Sequence, residues 1–365
     1  RLVCDALYQI NPNNGKSIRL HFVANVDSAE LATTLAKAQP HSTRVLITSK
    51  TFTTLETIRN AQTVINWLTS NKVSQNQLKK CLIGITANIA AAERFGISPD
   101  NIFPFWDWVG GRFSVWSAVG LPIAIKFGFK TFQDFLAGAH AMDLHFKNAA
   151  PEENMPLLLA LTLIHNQRKH HIKAKAIVPY AHALRFLPEW LQQLEMESHG
   201  KRITIDGRTS DPTSPVVFGS AGSNSQHSYF QMLHQGNQII PVDFIAVKEP
   251  MSQLPEASEH HSLLLANCLA QAQALANGSE ETSAYDSCPG GRPSNLIWLE
   301  KLDAYHLGAL LALYEHRALC LGAIWHLNSF DQPGVELGKK LAKPIKQALD
   351  TGGDMSGICL LYTSD

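Results

Sequence analysis

The chain has 365 residues, of which 45% are hydrophobic, and this length and composition fit two domains of ordinary size, each with a sizeable core. Lysine plus arginine equals aspartate plus glutamate at 31 each, so the net charge gives no reason to expect a nucleic acid or an anionic membrane as partner. The six cysteines lie far apart without a Cys-x-x-Cys pair, which favours reduced thiols in the cytoplasm over a disulfide framework or a zinc site.

The beginning of the chain reads as the interior of a helix. Arg1 to Leu7 is mostly apolar and lacks a starting methionine. We therefore expect a fragment whose first sheet lacks its N-terminal part. No apolar run reaches the roughly 18 residues that a membrane span needs, so we expect no membrane segment.

Residues 1 to about 125 alternate between strand-like and helix-like segments. The strand candidates are residues 18–23, 45–48 and 81–86. The helix candidates are residues 29–37, 54–69 and 89–95. This alternation predicts a parallel sheet with crossover helices, in which ligands bind on the loops at the carboxyl ends of the strands.

Residues 49–54, Ser-Lys-Thr-Phe-Thr-Thr, join a predicted strand to a predicted helix. Hydroxyl groups and the ammonium of Lys50 meet there, and the free N–H groups and positive dipole end of a helix start favour a phosphate. Thr53 and Glu56 have the spacing of a capping box. On these residues alone, a Ser/Thr-rich cap that binds nothing is the better interpretation.

Residues 105–122 are rich in tryptophan and contain the tripeptide Gly110-Gly111-Arg112. Adjacent glycines let the backbone turn tightly and let a ligand approach it closely. The arginine is always charged and holds an anion with several donors. Three tryptophans are predicted to pack around this turn and fix it: Trp106, Trp108 and Trp116. The alternative is an ordinary turn with a surface arginine.

A second α/β unit is predicted from about residue 126. Its strand candidates are residues 174–179, 216–218, 239–247 and 296–299. Its helix candidates are residues 132–146, 157–166, 182–194, 226–233, 262–276 and 307–319. The unit has the same architecture as the first, although the residues themselves show no convincing internal repeat.

A predicted helix that ends near Gly200 carries two glutamates close to its C-terminus, Glu195 and Glu197. The negative end of a helix dipole raises the proton affinity of a carboxylate, which suits a general base near neutral pH. Most glutamates at helix ends are simply solvated, and Glu195 is assigned to that class.

Two later segments contain further candidates. Residues 219–225 are predicted to form a flexible loop that opens a helix at His227, where an imidazole stays neutral and can exchange a proton. His234 is expected to be a packed core histidine. Residues 330–340 contain Lys339 and Lys340, which without other information are predicted to be solvent-exposed lysines on a helix.

Together these segments resemble the glucose-6-phosphate isomerase (phosphoglucose isomerase) family. Residues 106–114 resemble its first signature, and Phe-Asp-Gln-Pro-Gly-Val-Glu-Leu-Gly-Lys at 330–339 resembles its second. Residues 49–54 resemble its phosphate loop, and Met-Glu-Ser-His-Gly-Lys at 196–201 its Met-Glu-Ser-x-Gly-Lys motif. Residues 222–227 are similar to its Gly-Thr-Asn-Gly-Gln-His motif, with Ser223 and Ser225 replacing Thr and Gly, and Ser220-Ala221 replacing the usual Glu-Pro.

The resemblance implies an α/β fold of two sugar-isomerase (SIS-type) three-layer αβα domains with mainly parallel sheets. The first domain spans residues 1–125 and is truncated at its N-terminus, and the second spans residues 126–330. A C-terminal helical arm follows at residues 331–365. Residues 351–365 do not look like the family's C-terminal helix, and we expect a non-native tail there.

The resemblance also implies the reversible isomerisation of glucose 6-phosphate to fructose 6-phosphate in glycolysis and gluconeogenesis. Lys339 and His227 would open the sugar ring, Glu197 would move a proton between C2 and C1 through a cis-enediolate, and Arg112 would stabilise the enediolate charge. The implied substrate-binding residues are Ser49, Lys50, Thr51, Thr54, Gly111, Gln193 and Gln332. His227 would come from a partner subunit, which implies a homodimer with shared active sites. Asn295 and the turn at residues 291–293 would be structural.

Two alternatives remain at the level of sequence. A metal-dependent sugar-phosphate isomerase would use the remaining histidines, His165, His170, His171, His260 and His261, but none has the spacing with a carboxylate that a zinc or iron site shows. We therefore expect no metal and no cofactor. A sugar-phosphate sensor would use the same fold without chemistry.

Overall fold

The computed structural model describes residues 1–10, 17–281 and 283–352, and it contains two parallel sheets flanked by helices. The predicted α/β class with mainly parallel sheets is confirmed. The predicted tail beyond residue 352, including Cys359, lies outside the described residues.

The first sheet has the parallel order β1–β2–β3, formed by β1 (Val45–Thr48), β2 (Leu82–Thr86) and β3 (Ile102–Pro104). The predicted strand at residues 18–23 is wrong, because this stretch is irregular and its Ile18 and Phe22 are each 38% exposed. β-Branched residues favour a strand only where neighbouring side chains pack against them. The short strand β3 was not predicted.

Four helices cover the first sheet: α2 (Ser28–Leu35), α3 (Leu55–Ser70), α4 (Gln75–Cys81) and α5 (Ile89–Phe95). The sequence prediction missed α4, although Ser74 and Gln77 form the capping box at its start. The helix at the beginning of the chain, α1 (Leu2–Ile10), packs instead into the core below the second sheet.

The second sheet has the parallel order β5–β4–β6–β7, formed by β4 (Ala174–Pro179), β5 (Val216–Gly219), β6 (Val242–Val247) and β7 (Ser294–Leu299). Every residue of β6 is buried, as expected for a central strand covered on both faces. All four predicted strands are confirmed.

The helices around the second sheet are α6 (Leu121–Phe127), α7 (Phe129–Asn148), α8 (Met155–His170), α9 (Leu187–Leu191), α10 (Gly222–Gln226), α11 (Phe230–Gln235), α12 (Ala257–Asn277) and α13 (Ala304–Trp325). Helix α13 crosses α7 at two glycines. A Cβ on Gly138 would lie 1.7 Å from the carbonyl oxygen of Tyr305, and one on Gly308 would lie 2.0 Å from that of Phe135. Glycine therefore permits this close approach.

Helix α13 is, by length and composition, apolar enough to cross a membrane, contrary to the expectation that no such stretch exists. However, 67% of its apolar window is buried inside the fold. Its leucines join the main core cluster with residues of α1, α7 and β6. We therefore read it as the central core helix.

Two predicted helices are interrupted. Residues 182–194 form a 3-10 turn (His182–Leu184), then α9, and then a π-helical turn (Gln192–Glu197). Residues 226–233 fall across the break between α10 and α11.

The last described helix, α14 (Glu336–Thr351), has no buried residue. It follows a 3-10 turn (Pro333–Val335) and forms a projecting arm. The predicted boundaries near residues 125 and 330 remain a prediction.

Candidate active site

Arg112 lies in a 3-10 turn (Gly111–Phe113) after β3, and its side chain is only 2% exposed. Its Nη1 donates to Glu197 Oε2 at 3.1 Å and to Gln332 Oε1 at 3.0 Å, and its Nε donates to Ser198 Oγ at 2.8 Å. The alternative of a surface arginine is therefore wrong. Burial lowers the pKa of Arg112, although the charge of Glu197 raises it. The guanidinium remains charged near neutral pH.

The turn that carries Arg112 is fixed differently from the prediction. Trp106 and Trp108 stack on each other at 5.5 Å and are 65% and 73% exposed, so they do not pack around the turn. Phe105 and Val109 anchor it instead, because both are buried against Ile85 of β2.

The third tryptophan does pack into the core. Trp116 stacks on Phe135 at 4.6 Å, and its Nε1 donates to Glu315 Oε2 at 2.7 Å. On the other side of the Arg112 turn, a Cβ added to Gly111 would meet no atom within 4 Å. The backbone at Gly111 is therefore open to a ligand.

Glu197 and Gln193 lie four residues apart on the π-helical turn. Glu197 Oε2 accepts from both Arg112 Nη1 and Gln193 Nε2, each at 3.1 Å, and the glutamate side chain is 23% exposed. In the described part of the chain, Glu197 Oε1 forms no hydrogen bond. π-Helical turns occur frequently at functional sites. The carboxylate is thus oriented through one oxygen while the other can face a ligand.

Glu195 lies on the opposite side of the same turn, and its assignment as a solvated glutamate is wrong. It is 2% exposed, and its Oε2 lies 3.0 Å from Arg317 Nη2. Lys175 pairs with Asp243 at 2.6 Å and approaches Glu195 to 3.9 Å, and Arg317 also reaches Asp243 at 3.4 Å. Two cations and two carboxylates therefore compensate each other beneath the turn.

Two neighbours complete the contacts of Asp243. Asn295 Nδ2 donates to Asp243 Oδ1 at 2.7 Å, and the hydroxyl of Tyr314 donates to Oδ2 at 3.2 Å. Asn295 is thus structural, as predicted. No motif in the sequence indicated this network, since its members come from β4, the π turn, β6, β7 and α13.

The segment before Gln332 is held by the same arginine. Arg112 Nη2 donates to the carbonyl oxygens of Ser329 at 2.6 Å and Asp331 at 3.1 Å. Residues more than 200 positions apart in the chain thereby meet around one guanidinium. Gln332 therefore lies beside Arg112 and Glu197, and its role as a substrate contact stays a prediction.

The predicted phosphate loop follows β1 and leads into α3. Ser49 is buried, and its Oγ lies 3.0 Å from Thr54 Oγ1, while Thr51 Oγ1 lies 2.7 Å from Thr53 Oγ1. The capping box of Thr53 and Glu56 is wrong: Thr54 is the N-cap, and its side chain caps no backbone N–H. The first turn of α3 therefore lacks a side-chain cap that would compete with an anion.

Two features fix the shape of this loop. Phe52 adopts φ +56° and is buried against Phe95, at a centroid distance of 5.7 Å. The carbonyl oxygen of Lys50 accepts from Ala87 N and Thr86 Oγ1, both at 3.0 Å. A positive φ is unfavourable for a bulky residue, so packing must hold it, and such positions cluster at ligand-binding sites.

Lys339 lies on α14 and is largely exposed, with its Nζ 2.8 Å from Glu336 Oε1. That hydrogen bond is the main cause of the raised pKa of Lys339, and the charges of Glu56 and Glu197 raise it further. Among the described residues, Glu336 is the hydrogen-bond and ion-pair partner of Lys339, and Lys339 forms no hydrogen bond with Glu197 or Arg112.

His227 is not at a helix start, which corrects the prediction. It is the C-cap of α10, because residues 222–226 are helical and not a flexible loop. A Cβ on Gly222 would lie 2.5 Å from the ring of Tyr180, so only glycine lets this helix pack there. Within the described residues, His227 forms no hydrogen bond or ion pair with Glu197, Arg112 or Lys339.

The remaining histidines were considered as metal ligands in the sequence. In residues 1–10, 17–281 and 283–352, no three His, Cys, Asp or Glu side chains are arranged to hold a metal ion. His234 is half-buried, and its Nε2 lies 2.8 Å from Gln271 Oε1. This contact supports its assignment as a packed histidine.

Known proteins resemble this chain along nearly its whole length. The family model described as phosphoglucose isomerase matches residues 1–358. Glucose-6-phosphate isomerases from Cupriavidus metallidurans and Polaromonas naphthalenivorans are 49% and 50% identical, and the matches cover 96% and 93% of this chain. The chain spans 66% and 64% of the length of these two relatives.

Solved structures of similar fold include a protein with the same name as these relatives. The crystal structure of a glucose-6-phosphate isomerase from Chlamydia trachomatis matches with a TM-score of 0.86 at 33% identity, over 96% of this chain and 68% of that one. A hypothetical protein from Thermus thermophilus matches with a TM-score of 0.79 at 26% identity, over 94% of this chain and 81% of that one. The two parallel sheets are thus those of a sugar-isomerase fold.

Proposed function

The chain belongs to the phosphoglucose isomerase family, and on that premise we propose that it catalyses the reversible isomerisation of glucose 6-phosphate to fructose 6-phosphate in glycolysis and gluconeogenesis. The observation that carries the proposal is the 3.1 Å contact between Glu197 Oε2 and a buried guanidinium nitrogen of Arg112. This contact places a candidate base beside a fixed positive charge, which is the pair that an enediolate intermediate requires.

In the proposed reaction, Glu197 takes the proton from C2 of the open-chain sugar and returns it at C1. A positioned general base typically contributes about 10²–10⁴ in rate. Arg112 stabilises the negative charge that develops on the enediolate oxygens, since its guanidinium is already oriented before the reaction. Gln193, Gln332 and the open backbone at Gly111 would contact the sugar.

The phosphate would bind at the start of α3, held by Ser49, Lys50, Thr51 and Thr54. The uncapped first turn of the helix and the ammonium of Lys50 support an anion there. Lys339 would open the sugar ring, a role that rests on the resemblance of residues 330–339 to the second family signature.

His227 would assist ring opening from the partner subunit of a homodimer. Within one described chain it makes no hydrogen bond to Glu197 or Arg112, which supports a role across an interface. We place the protein in the cytoplasm, because all five cysteines in the described residues are free thiols.

The function is tested by turnover of fructose 6-phosphate in an assay coupled to glucose 6-phosphate oxidation. We expect the unaltered protein to be active and Glu197→Gln to lose nearly all turnover while still binding inorganic phosphate. Glu189→Gln, an exposed glutamate on α9, is the matched control and should keep its rate. Binding without turnover by the unaltered protein would contradict the proposal and favour a sensor.

A further inference from the structure

Lys201 lies four residues after Glu197, which ends the π-helical turn (called here the catalytic turn, Gln192–Glu197). None of the roles proposed above uses Lys201. Its side chain is 12% exposed. Its Nζ donates to the carbonyl oxygens of Ser198 and Asp331, each at 2.9 Å, and also to that of Asn328. The same nitrogen lies 2.8 Å from Asp331 Oδ1. An ammonium has three N–H donors, so these acceptors satisfy it completely.

The acceptors belong to two segments that each carry a proposed active-site residue. Ser198 directly follows Glu197, and Asp331 directly precedes Gln332. Arg112 joins the same two segments from the other side, through Ser198 Oγ at 2.8 Å and the carbonyl oxygen of Asp331 at 3.1 Å. The Asp331 carbonyl therefore accepts from both cations.

Arg112 and Lys201 provide most of the hydrogen bonds that join the segment 328–332 to the rest of the fold. The segment is irregular, so no sheet or helix hydrogen bonds fix its backbone. Phe330 is 54% exposed and adds only a tilted contact with Phe113, at a centroid distance of 5.2 Å. Besides the two cations, the segment is held by local hydrogen bonds from Asn328 to Asp331 and from Phe330 N to Asn328. Ser329 is also buried, and its Oγ donates to the carbonyl oxygen of Ala318 at 3.4 Å.

We propose that Lys201 is a positioning residue for the isomerisation, an inference that rests on the proposed function. Its ammonium connects the segment 328–331 by hydrogen bonds to Ser198, at the end of the catalytic turn. These bonds determine the position of Gln332 relative to Arg112 and Glu197. The phosphate loop is formed by other elements, β1 and α3. Lys201 should therefore affect the chemical step and leave phosphate binding unchanged.

The test replaces Lys201 by methionine, which keeps the length of the side chain and removes the ammonium. Misplacement of a site by about 1 Å costs roughly 10²-fold in rate, so we expect kcat to fall by about that factor. The inhibition constant of inorganic phosphate, which reports only on the phosphate loop, should stay close to the unaltered value. Lys130→Met, which removes an exposed lysine paired with Asp134, is the control and should leave kcat unchanged.

A double-mutant cycle separates positioning from general destabilisation. If Lys201 acts through Gln332, then Lys201→Met should cost much less in a Gln332→Ala background than alone, and its full cost should persist in a Lys50→Met background. An unchanged kcat, or equal losses in both backgrounds, would overturn the proposal. If Lys201→Met does not fold, Lys201→Gln keeps one donor group and should give the same pattern with a smaller loss.

Amide hydrogen exchange tests the same inference without activity. Lys201→Met should speed exchange at residues 328–332 and leave residues 49–54 unchanged. If the unaltered protein has no isomerase activity, the proposed function fails, and the exchange result still decides whether Lys201 holds this segment. Unchanged exchange at residues 328–332 would contradict that role.

Discussion

At the scale of single residues, one guanidinium organises the site. Arg112 reaches Ser198, Glu197, Gln332 and the backbone before Gln332 with all three of its nitrogens. A planar guanidinium with five N–H donors can bind all these acceptors at once, whereas the three donors of an ammonium share a single nitrogen. The shape of the side chain therefore matters as much as its charge.

Arg112→Lys should lose most of its activity in spite of its positive charge. We expect kcat to fall by about 10²–10³, the usual cost of losing a preorganised donor to a developing oxyanion. The thermal midpoint should also fall, because each buried acceptor left without a donor costs about 1–3 kcal/mol. Steady-state kinetics and thermal unfolding measure both effects, with the exposed Arg94→Lys as control. If Arg112→Lys kept the original kcat, a positive charge alone would be sufficient and the planar guanidinium would not be needed.

Glu315 makes stability depend on pH. Burial raises its pKa to about 8 from a usual value of 4.5, although Trp116 donates a hydrogen bond that lowers it. Between these two pH values the native carboxyl keeps its proton and the unfolded one has lost it. The unfolded state therefore binds fewer protons, and the free energy of unfolding falls as pH rises through this range.

Glu315→Gln removes this titration and keeps an acceptor for Trp116. We expect the thermal midpoint of Glu315→Gln minus that of the unaltered protein to increase from about pH 5 to about pH 8, the range between the two pKa values. The unaltered protein loses stability over this range, and the variant does not. Glu259→Gln, an exposed glutamate on α12, should show no such trend. If the two thermal midpoints differed by the same amount at pH 5 and at pH 8, Glu315 would not be buried in its protonated form.

Sequence motifs indicated which of several distant residues lie together, but they did not indicate residues that meet only through long-range burial. Arg112, Glu197, Gln193 and Gln332 meet as expected. Glu195 was misassigned, because its partner Arg317 lies 122 positions away on α13. A motif contains no information about which buried cation will face it after folding.

At the scale of elements, the site depends on departures from regular structure. The π-helical turn (Gln192–Glu197) directs Glu195 into the core and Glu197 toward Arg112. Hydrophobic periodicity predicted a helix over 182–194 but could not predict its widened last turn. His227 was misplaced for a related reason: residues 222–226 are small and polar, yet they form a helix where Gly222 packs on Tyr180.

Thr54→Ala tests the start of α3 as the phosphate site. A neutral hydrogen bond is worth about 1 kcal/mol, so we expect the KM for fructose 6-phosphate and the inhibition constant of inorganic phosphate to rise about fivefold, with kcat little changed. Ser70→Ala at the other end of the same helix is the control and should change neither constant. A fall in kcat without a change in phosphate affinity would place the phosphate elsewhere.

At the scale of the whole molecule, α13 links the site to the core. It packs against α7 through paired glycines, carries Arg317 beneath the π-helical turn (Gln192–Glu197) and leads by a short segment to Gln332. The arm α14 then projects with Leu337, Leu341 and Leu349 exposed. The strands of the second sheet were predictable from the sequence, whereas β3, α4 and these contacts between distant helices were not.

Mixed subunits test the proposed homodimer with shared sites. Glu197→Gln and His227→Ala should each be nearly inactive as pure proteins. After subunits are mixed, half the dimers are hybrids with one intact site of two, so about a quarter of the native activity should return. A mixture of Glu197→Gln with Arg112→Lys should regain none, because both changes fall in the half-site of one subunit. A site formed within one chain would give no recovery in either mixture.

The most direct test of the account is the fate of the hydrogen at C2. Glucose 6-phosphate labelled with deuterium at C2 is converted, and nuclear magnetic resonance follows the label at C1 of fructose 6-phosphate and in solvent. If Glu197 carries the proton between the two carbons, the unaltered protein should move part of the label to C1, and Glu197→Gln should neither move nor release it. Transfer of label by Glu197→Gln at the unaltered rate would contradict the account.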